Sequence, residues 1–222
     1  MATTSTETNS MDACISDLET QILHLGRIVE ASISRVLTAL TQHDPLMAQA
    51  VIREGEEIDR LELEVHEHCL TILENKRPSG PDLRFVVAVL KINDSLERIG
   101  DLAENVAQIV VAVGNWERFQ GVPGIKKMAE EAQKMVGMSL ESLVQRNTAL
   151  AHEVIYLDDR VDELYRQIQQ RIEAELDRTP ENANPLLKVE HVTRQFERMG
   201  DVATNIAEEV IYLVDGEIVR HR

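Results

Sequence analysis

Apolar residues recur at steps of three and four along most of the chain, which is the periodicity of amphipathic helices. The first such segment runs from about Met11 to Thr41. The residues His43-Asp44-Pro45 then predict a stop and a restart, because Asp is a preferred N-cap and Pro is tolerated at the first helical position. A second helix is predicted from there to the residues before 77–81, and a third from about Asp82 to Val113.

The segment Gly114–Gly124 is the clearest interruption of this pattern, and we place the boundary between two units there. The same series then begins again, with a Pro- and Asn-rich loop at Thr179–Pro185. The predicted helices of the second half are about Ile125–Asn147, Ala149–Leu176 and Leu186–Asp215. The pattern therefore predicts a disordered lead-in over residues 1–10, a three-helix bundle over 11–115, a second bundle over 122–217 and a tail over 218–222.

An internal repeat supports this division. The segments Leu96–Gln108 (LERIGDLAENVAQ) and Phe196–Glu208 (FERMGDVATNIAE) share Glu, Arg, Gly, Asp, Ala, Asn and Ala in register. A looser match joins Val51–Val65 to Val154–Ile168. The predicted fold class is therefore all-α, with two tandem three-helix bundles related by the repeat.

The charge of the chain narrows the classes of function. Asp and Glu number 39 against 23 Lys and Arg, which gives a formal net charge of −16 at pH 7. Such a surface repels polyanions, so we expect no nucleic-acid partner and no binding to an anionic membrane. The first residues lack the basic and apolar regions of a secretory signal, and no apolar run approaches the roughly 18 residues of a membrane span. We therefore expect a cytoplasmic protein without direct membrane insertion.

Acidic side chains recur in both units at the spacing of one helical turn. They are Glu97 and Asp101 in the first unit, and Glu197, Asp201, Asp158 and Asp162 in the second. Residues four apart share one face of a helix, where like charges repel each other unless a cation or a proton compensates them. Antiparallel packing of the last two helices would bring the four carboxylates of the second unit together. This arrangement predicts a site for hard cations such as Mg²⁺, Mn²⁺, Ca²⁺ or iron.

Other interpretations of these acids remain open. Acids on helices usually form a solvated surface, often paired with arginines, and the chain would then be a metal-free structural scaffold. A metal-dependent oxidase or iron-handling bundle of the ferritin kind would need His ligands, and His152 and His191 are only loosely placed for that role. We interpret Glu62 and His66 as a pair on a helix surface. No nucleophile–base set or cofactor fingerprint is found, so we expect the protein not to be an enzyme.

Several segments together resemble the PhoU family of phosphate-signalling accessory proteins. They are the repeated ERIGD…N and ERMGD…N motifs, Pro78–Ile92, Asp158–Tyr165 and Tyr212–His221, and the likeness extends from about Leu18 to His221. The resemblance implies two similar three-helix bundles, often dimeric, with multinuclear metal clusters in some members. It also implies a cytoplasmic negative regulator of the phosphate-starvation response that is not an enzyme. The implied partners are the ATPase of the phosphate ABC transporter, a membrane sensor histidine kinase and a second copy of the chain.

Carried over by position, the resemblance implies metal ligands in both units. The ligands are Asp59, Glu97 and Asp101 in the first unit, and Asp158, Asp162, Glu197 and Asp201 in the second. The ions expected there are divalent or trivalent metals: iron, Mg, Mn, Zn or Ca. The chain departs from the family pattern at Gly55, where an Asp is expected and Glu56 and Glu57 follow. We therefore expect the second unit to hold the more complete site, unless Glu56 replaces the missing Asp as a ligand by approaching the ion from a different direction.

Overall fold

The computed structural model describes the backbone of residues 3–113 and 123–220, and the side chains from residue 11 onward. Within these ranges the chain forms six α-helices and no strand. They are α1 (Thr3–Gln42), α2 (Pro45–Lys76), α3 (Pro81–Val113), α4 (Ile125–Gln145), α5 (Thr148–Arg178) and α6 (Ala183–Asp215). A short 3-10 turn at Pro180–Asn182 joins the last two helices. The predicted all-α fold of two three-helix bundles is confirmed.

The structure differs from the predicted boundaries at two helix starts. α1 begins at Thr3 rather than near Met11, so it includes most of the predicted disordered lead-in over residues 1–10. Extending a helix that already exists costs much less than nucleating one, which allows a polar segment to continue it. α6 begins at Ala183, inside the predicted loop, because Pro185 in its first turn needs no hydrogen-bond donor. The predicted boundary at Gly114–Gly124 lies outside the described residues except for its last two positions.

The predicted restart at Asp44 is confirmed in detail. The side chain of Asp44 accepts hydrogen bonds from the backbone amides of Leu46 and Met47 at 2.9 and 3.0 Å. Pro45 is the first residue of α2, where its missing N–H costs nothing. Asn147 caps α5 in the same way, by accepting from the amide of Leu150 at 3.1 Å.

The two bundles share one hydrophobic core. Each bundle packs its three helices together, and α3 packs against α6 while α1 packs against α4 across the boundary. Lys91 of α3 donates a hydrogen bond to Glu209 of α6 at 2.8 Å. Gly26 permits the other contact, because a Cβ at this position would lie 2.8 Å from Cδ2 of Leu140 on α4. In the described part of the chain, no helix combines the length and apolarity that crossing a membrane requires.

Candidate functional site

The hairpin of α2 and α3 brings together the three predicted ligands of the first unit. One carboxylate oxygen from each of Asp59, Glu97 and Asp101 lies within 4.8 Å of the others. Gly100 allows this close packing, since a Cβ there would lie 3.0 Å from Cδ1 of Ile58 on the facing helix. Glu97 and Asp101, one helical turn apart on α3, therefore lie close together as their spacing predicts, and Asp59 joins them from α2.

Burial and the charges of neighbouring acids raise the pKa of two acids in this cluster. The pKa of Glu97 is raised first by loss of solvent and then by the charges of Asp101 and Asp59. Loss of solvent, followed by the charge of Asp59, also raises the pKa of Asp101. A bound cation would relieve both effects, because it would favour the charged form of each group.

The second unit carries its four predicted ligands on α5 and α6, two on each helix. Asp158 is buried, with 6% of its surface exposed, although carboxylates are rarely buried in proteins. Loss of solvent raises the pKa of Glu197 to about 7, with further contributions from Asp201, Asp162 and Asp158. Among the described residues, no three of these acids approach one another as closely as the trio of the first unit does.

A groove of about 580 Å³ opens beside the acids of the second unit. Asp158, Asp162 and Asp201 line it together with two arginines that the sequence analysis did not single out, Arg98 and Arg220. Arg98 comes from α3 of the first unit, next in the chain to Glu97. Arg220 reaches the groove after Gly216 ends α6 in the left-handed conformation, at a φ of 74°. The groove therefore combines carboxylates with cationic side chains.

A carboxylate from another helix lies beside Gly55, the position at which the chain departs from the family pattern. Oε2 of Glu104, on α3, lies 2.5 Å from where a Cβ on Gly55 would be. Its other oxygen accepts a hydrogen bond from Gln108 at 2.8 Å. In the second unit the repeat places Asp158 and Thr204 at the corresponding positions. At this pair of positions the first unit thus has its acid on α3, as Glu104, and the second unit has its acid on α5, as Asp158. Glu56, the other candidate in the first unit, is exposed.

The two histidines considered for a ferritin-like centre do not join these acids. His152 and His191 are both exposed, and neither joins a group of potential metal ligands within the described ranges. Arg166, which lies four residues after Asp162 on α5, forms an ion pair with Glu163. The donors at the two predicted sites are carboxylate oxygens, which fit hard cations such as Mg²⁺, Ca²⁺ or Mn²⁺.

Comparison with known proteins shows a family likeness over nearly the whole chain. A family model described as the PhoU domain matches residues 22–110 and again 125–210, once in each unit. The chain is 33% identical over 208 residues to a phosphate-specific transport system accessory protein PhoU homolog of Aquifex aeolicus, covering 94% of each chain. It is 32% identical to the homolog from Pseudomonas aeruginosa, covering 95% of this chain and 87% of the relative.

Two solved structures share the fold. The crystal structure of PhoU from Pseudomonas aeruginosa matches with a TM-score of 0.88 at 30% identity, over 93% of this chain and 99% of that one. The phosphate transport system regulatory protein PhoU from Streptococcus pneumoniae matches with a TM-score of 0.87 at 25% identity, over 95% and 100%. The arrangement of the helices is thus shared with known structures.

Proposed function

The chain belongs to the PhoU family, and on that premise we propose that it is an accessory protein of a phosphate-specific transport system and not an enzyme. The relatives carry that description, and the two family matches fall one in each bundle. More specifically, the proposed role is that of a negative regulator of the phosphate-starvation response in the cytoplasm. In this role the protein connects the ATPase of the phosphate ABC transporter to a membrane sensor histidine kinase and acts as a homodimer.

Metal binding is the chemical basis of the proposal. Asp59, Glu97 and Asp101 hold one cation site, and the four acids of the second unit hold another. The supporting observation is the three carboxylate oxygens within 4.8 Å of one another in the first unit. Iron, Mg, Mn, Zn or Ca would neutralise these charges, and the bound ion would fix the packing of the two helices that supply its ligands.

The groove adds a way for an anionic group to dock. Arg98 and Arg220 line it beside the acids of the second unit. With the carboxylates neutralised by a cation, the arginines offer planar donors to a phosphate or to an acidic side chain of a partner.

Elemental analysis after purification without chelator tests the metal sites. We expect at least one equivalent of metal per chain, and we expect chelator to lower the melting temperature because ligands that bind the folded state stabilise it. The variants Asp101→Asn and Asp201→Asn should each lose metal from one unit. Metal well below one equivalent, unchanged in both variants, would remove this part of the proposal.

A reporter of the phosphate-starvation response tests the regulatory role. Deleting the gene should raise the reporter in phosphate-replete cells, and the wild-type chain should restore repression. A pull-down from the same cells should recover the transporter ATPase and the sensor kinase, and light scattering should give twice the mass of the chain. A reporter that stays repressed without the protein would contradict the role, whatever the metal analysis gives.

A further inference from the structure

A second group of potential ligands lies beside the trio of the first unit on the same two helices. Glu62 and His66 of α2 and Asp94 of α3 each offer one ligand atom, and the three atoms lie within 4.8 Å of one another. Nδ1 of His66 lies 3.8 Å from Oε1 of Glu62. Glu62 and Glu97 are close enough for the charge of one to affect the pKa of the other, so this group borders the trio. It differs from the trio in its chemistry, because it includes an imidazole.

A buried amide beside this group has an unsatisfied oxygen. Asn93 is fully buried, and its Nδ2 donates to both the backbone oxygen and Oε1 of Glu62, at 3.0 and 2.7 Å. Its Oδ1 is buried as well and finds no donor among the residues that the structure describes. Leaving a buried acceptor unsatisfied costs about 1–3 kcal/mol, so such an atom requires an explanation. The unsatisfied oxygen thus belongs to the same amide that holds Glu62, one of the three potential ligands.

The internal repeat provides a comparison within the same molecule. At the positions of Glu62, His66, Asn93 and Asp94, the second unit has Tyr165, Gln169, Thr193 and Arg194. Arg194 lies 3.9 Å from Glu190 and hydrogen-bonds Tyr165. In the second unit an arginine therefore supplies positive charge at the position where the first unit has Asp94.

We propose that Glu62, His66 and Asp94 form a second cation site, particular to the first unit, that takes a divalent transition metal such as Zn²⁺. One imidazole and two carboxylates suit Zn²⁺ or Fe²⁺ better than Mg²⁺ or Ca²⁺, which prefer oxygen alone. The ion supplies the positive charge that Arg194 provides in the other unit. Asn93 is a positioning residue that holds the Glu62 carboxylate toward the ion.

The two acids of this group carry like charges that a cation would offset. Burial raises the pKa of Glu62, and the charges of Asp94 and Asp59 raise it further, whereas His66 lowers it. The competing explanation is that a protonated His66 alone balances the acids, with no metal. The site stands apart from the proposed function, because it requires neither a role in phosphate transport nor metal at the trio of carboxylates.

Zinc titration of the full chain, stripped of metal with chelator and dialysed, tests the proposal. We expect His66→Gln, which copies the second unit, to lose one equivalent of Zn²⁺ or at least about tenfold in affinity for it. Asp94→Arg should have the same effect, because it places a fixed cation in the site. His152→Gln, which changes an exposed histidine on α5, is the matched control and should bind as the wild type does.

X-ray absorption of the zinc-loaded protein gives a direct readout. We expect nitrogen from one imidazole in the zinc coordination shell of the wild type and its loss in His66→Gln. Asp101→Asn should keep that nitrogen, so a failure of the proposed carboxylate site would be visible separately. Wild type and both site variants binding the same number of zinc ions with equal affinity, with no imidazole signal, would overturn the proposal and favour the protonated-histidine pair. Melting curves of each variant establish that it is folded.

Discussion

The two cysteines lie in surroundings that give their thiols different reactivity. Cys69, on α2, is fully buried, and burial raises the pKa of its thiol to about 12. Cys14, on α1, is only partly buried. The thiolate is the reactive species, so accessibility and pKa together protect Cys69.

We therefore predict that one thiol per chain reacts with Ellman's reagent in the native protein at pH 8. The second should react only after denaturant is added. Cys14→Ser should abolish the fast reaction, and Cys69→Ser should leave it unchanged. Two thiols reacting at equal rates in the native state would contradict the burial of Cys69.

Glu197 gives the stability of the metal-free protein a defined pH dependence. Its folded-state pKa of about 7 lies above the ordinary value of 4.5, chiefly because of lost solvent. Folding therefore takes up a proton between these two pH values. The contribution of Glu197 to the free energy of unfolding is complete below about pH 4.5 and is lost as the pH rises through about 7.

We predict that Glu197→Gln removes part of the loss of stability between pH 5 and 8 in chelator. Since the side chain is partly exposed, screening reduces the effect to on the order of 1 kcal/mol, or about 2–4 °C in melting temperature. Glu163→Gln, on an exposed side chain of α5, is the control and should leave the slope unchanged. If the wild type and Glu197→Gln lose stability in parallel, the raised pKa of Glu197 is wrong.

At the scale of helices, local signals in the sequence were sufficient to predict most of the structure. The apolar periodicity and the cap at Asp44 are properties of neighbouring residues, so the number of helices and the start of α2 were predicted correctly. The starts of α1 and α6 were missed because helix extension and a Pro in a first turn leave little trace in the pattern. The repeat predicted which acids share one face of a helix, because residues four apart in the sequence lie on the same side of it.

Contacts between distant residues could not be predicted in this way. Glu104 faces Gly55 from another helix, and the return of the chain after Gly216 brings Arg220 to the groove. Glu62 and His66 were interpreted as a pair on one helix, although Asp94 meets them across the α2–α3 hairpin. No spacing rule within one helix encodes such encounters, since they depend on the register between helices.

The exchange of acids between helices leads to a third prediction. Gly55→Asp should destabilise the protein, because the new side chain meets Oε2 of Glu104 and adds a like charge beside it. Combining it with Glu104→Thr, which copies the second unit, should restore stability, with a coupling energy of about 0.5–3 kcal/mol. A double-mutant cycle of thermal unfolding measures this coupling. Simple additivity of the two changes would show that Glu104 does not occupy the space beside Gly55.

For the whole molecule, the shared core makes the two bundles dependent on each other. α3 packs against α6 across the boundary between the bundles, and α1 packs against α4 across it as well. Breaking the molecule into halves would expose the apolar faces of all four helices. We therefore expect a single unfolding transition, in which the calorimetric and van't Hoff enthalpies agree.

A side chain introduced between α1 and α4 tests this dependence. Gly26→Leu would press on Leu140, since even a Cβ at position 26 lies 2.8 Å from it. Overpacking of this kind typically costs about 1–3 kcal/mol. Arg27→Leu, at the exposed next position, is the matched control and should change the free energy of unfolding by less than about 0.5 kcal/mol. Equal stability of the two variants would show that the helices are not in close contact here.

Adjacent residues of α3 serve different halves of the molecule. Glu97 belongs to the carboxylate trio of the first unit, and Arg98 lines the groove of the second. A helix is stiff over so short a distance, so a cation at the proposed site that rotated or shifted Glu97 would carry Arg98 with it. Filling the proposed site of one half would then alter the affinity for a ligand in the other, and thermodynamic reciprocity requires the same factor in both directions. Ligand binding in the two halves of such a protein would be cooperative, so its state would depend on whether both sites are occupied.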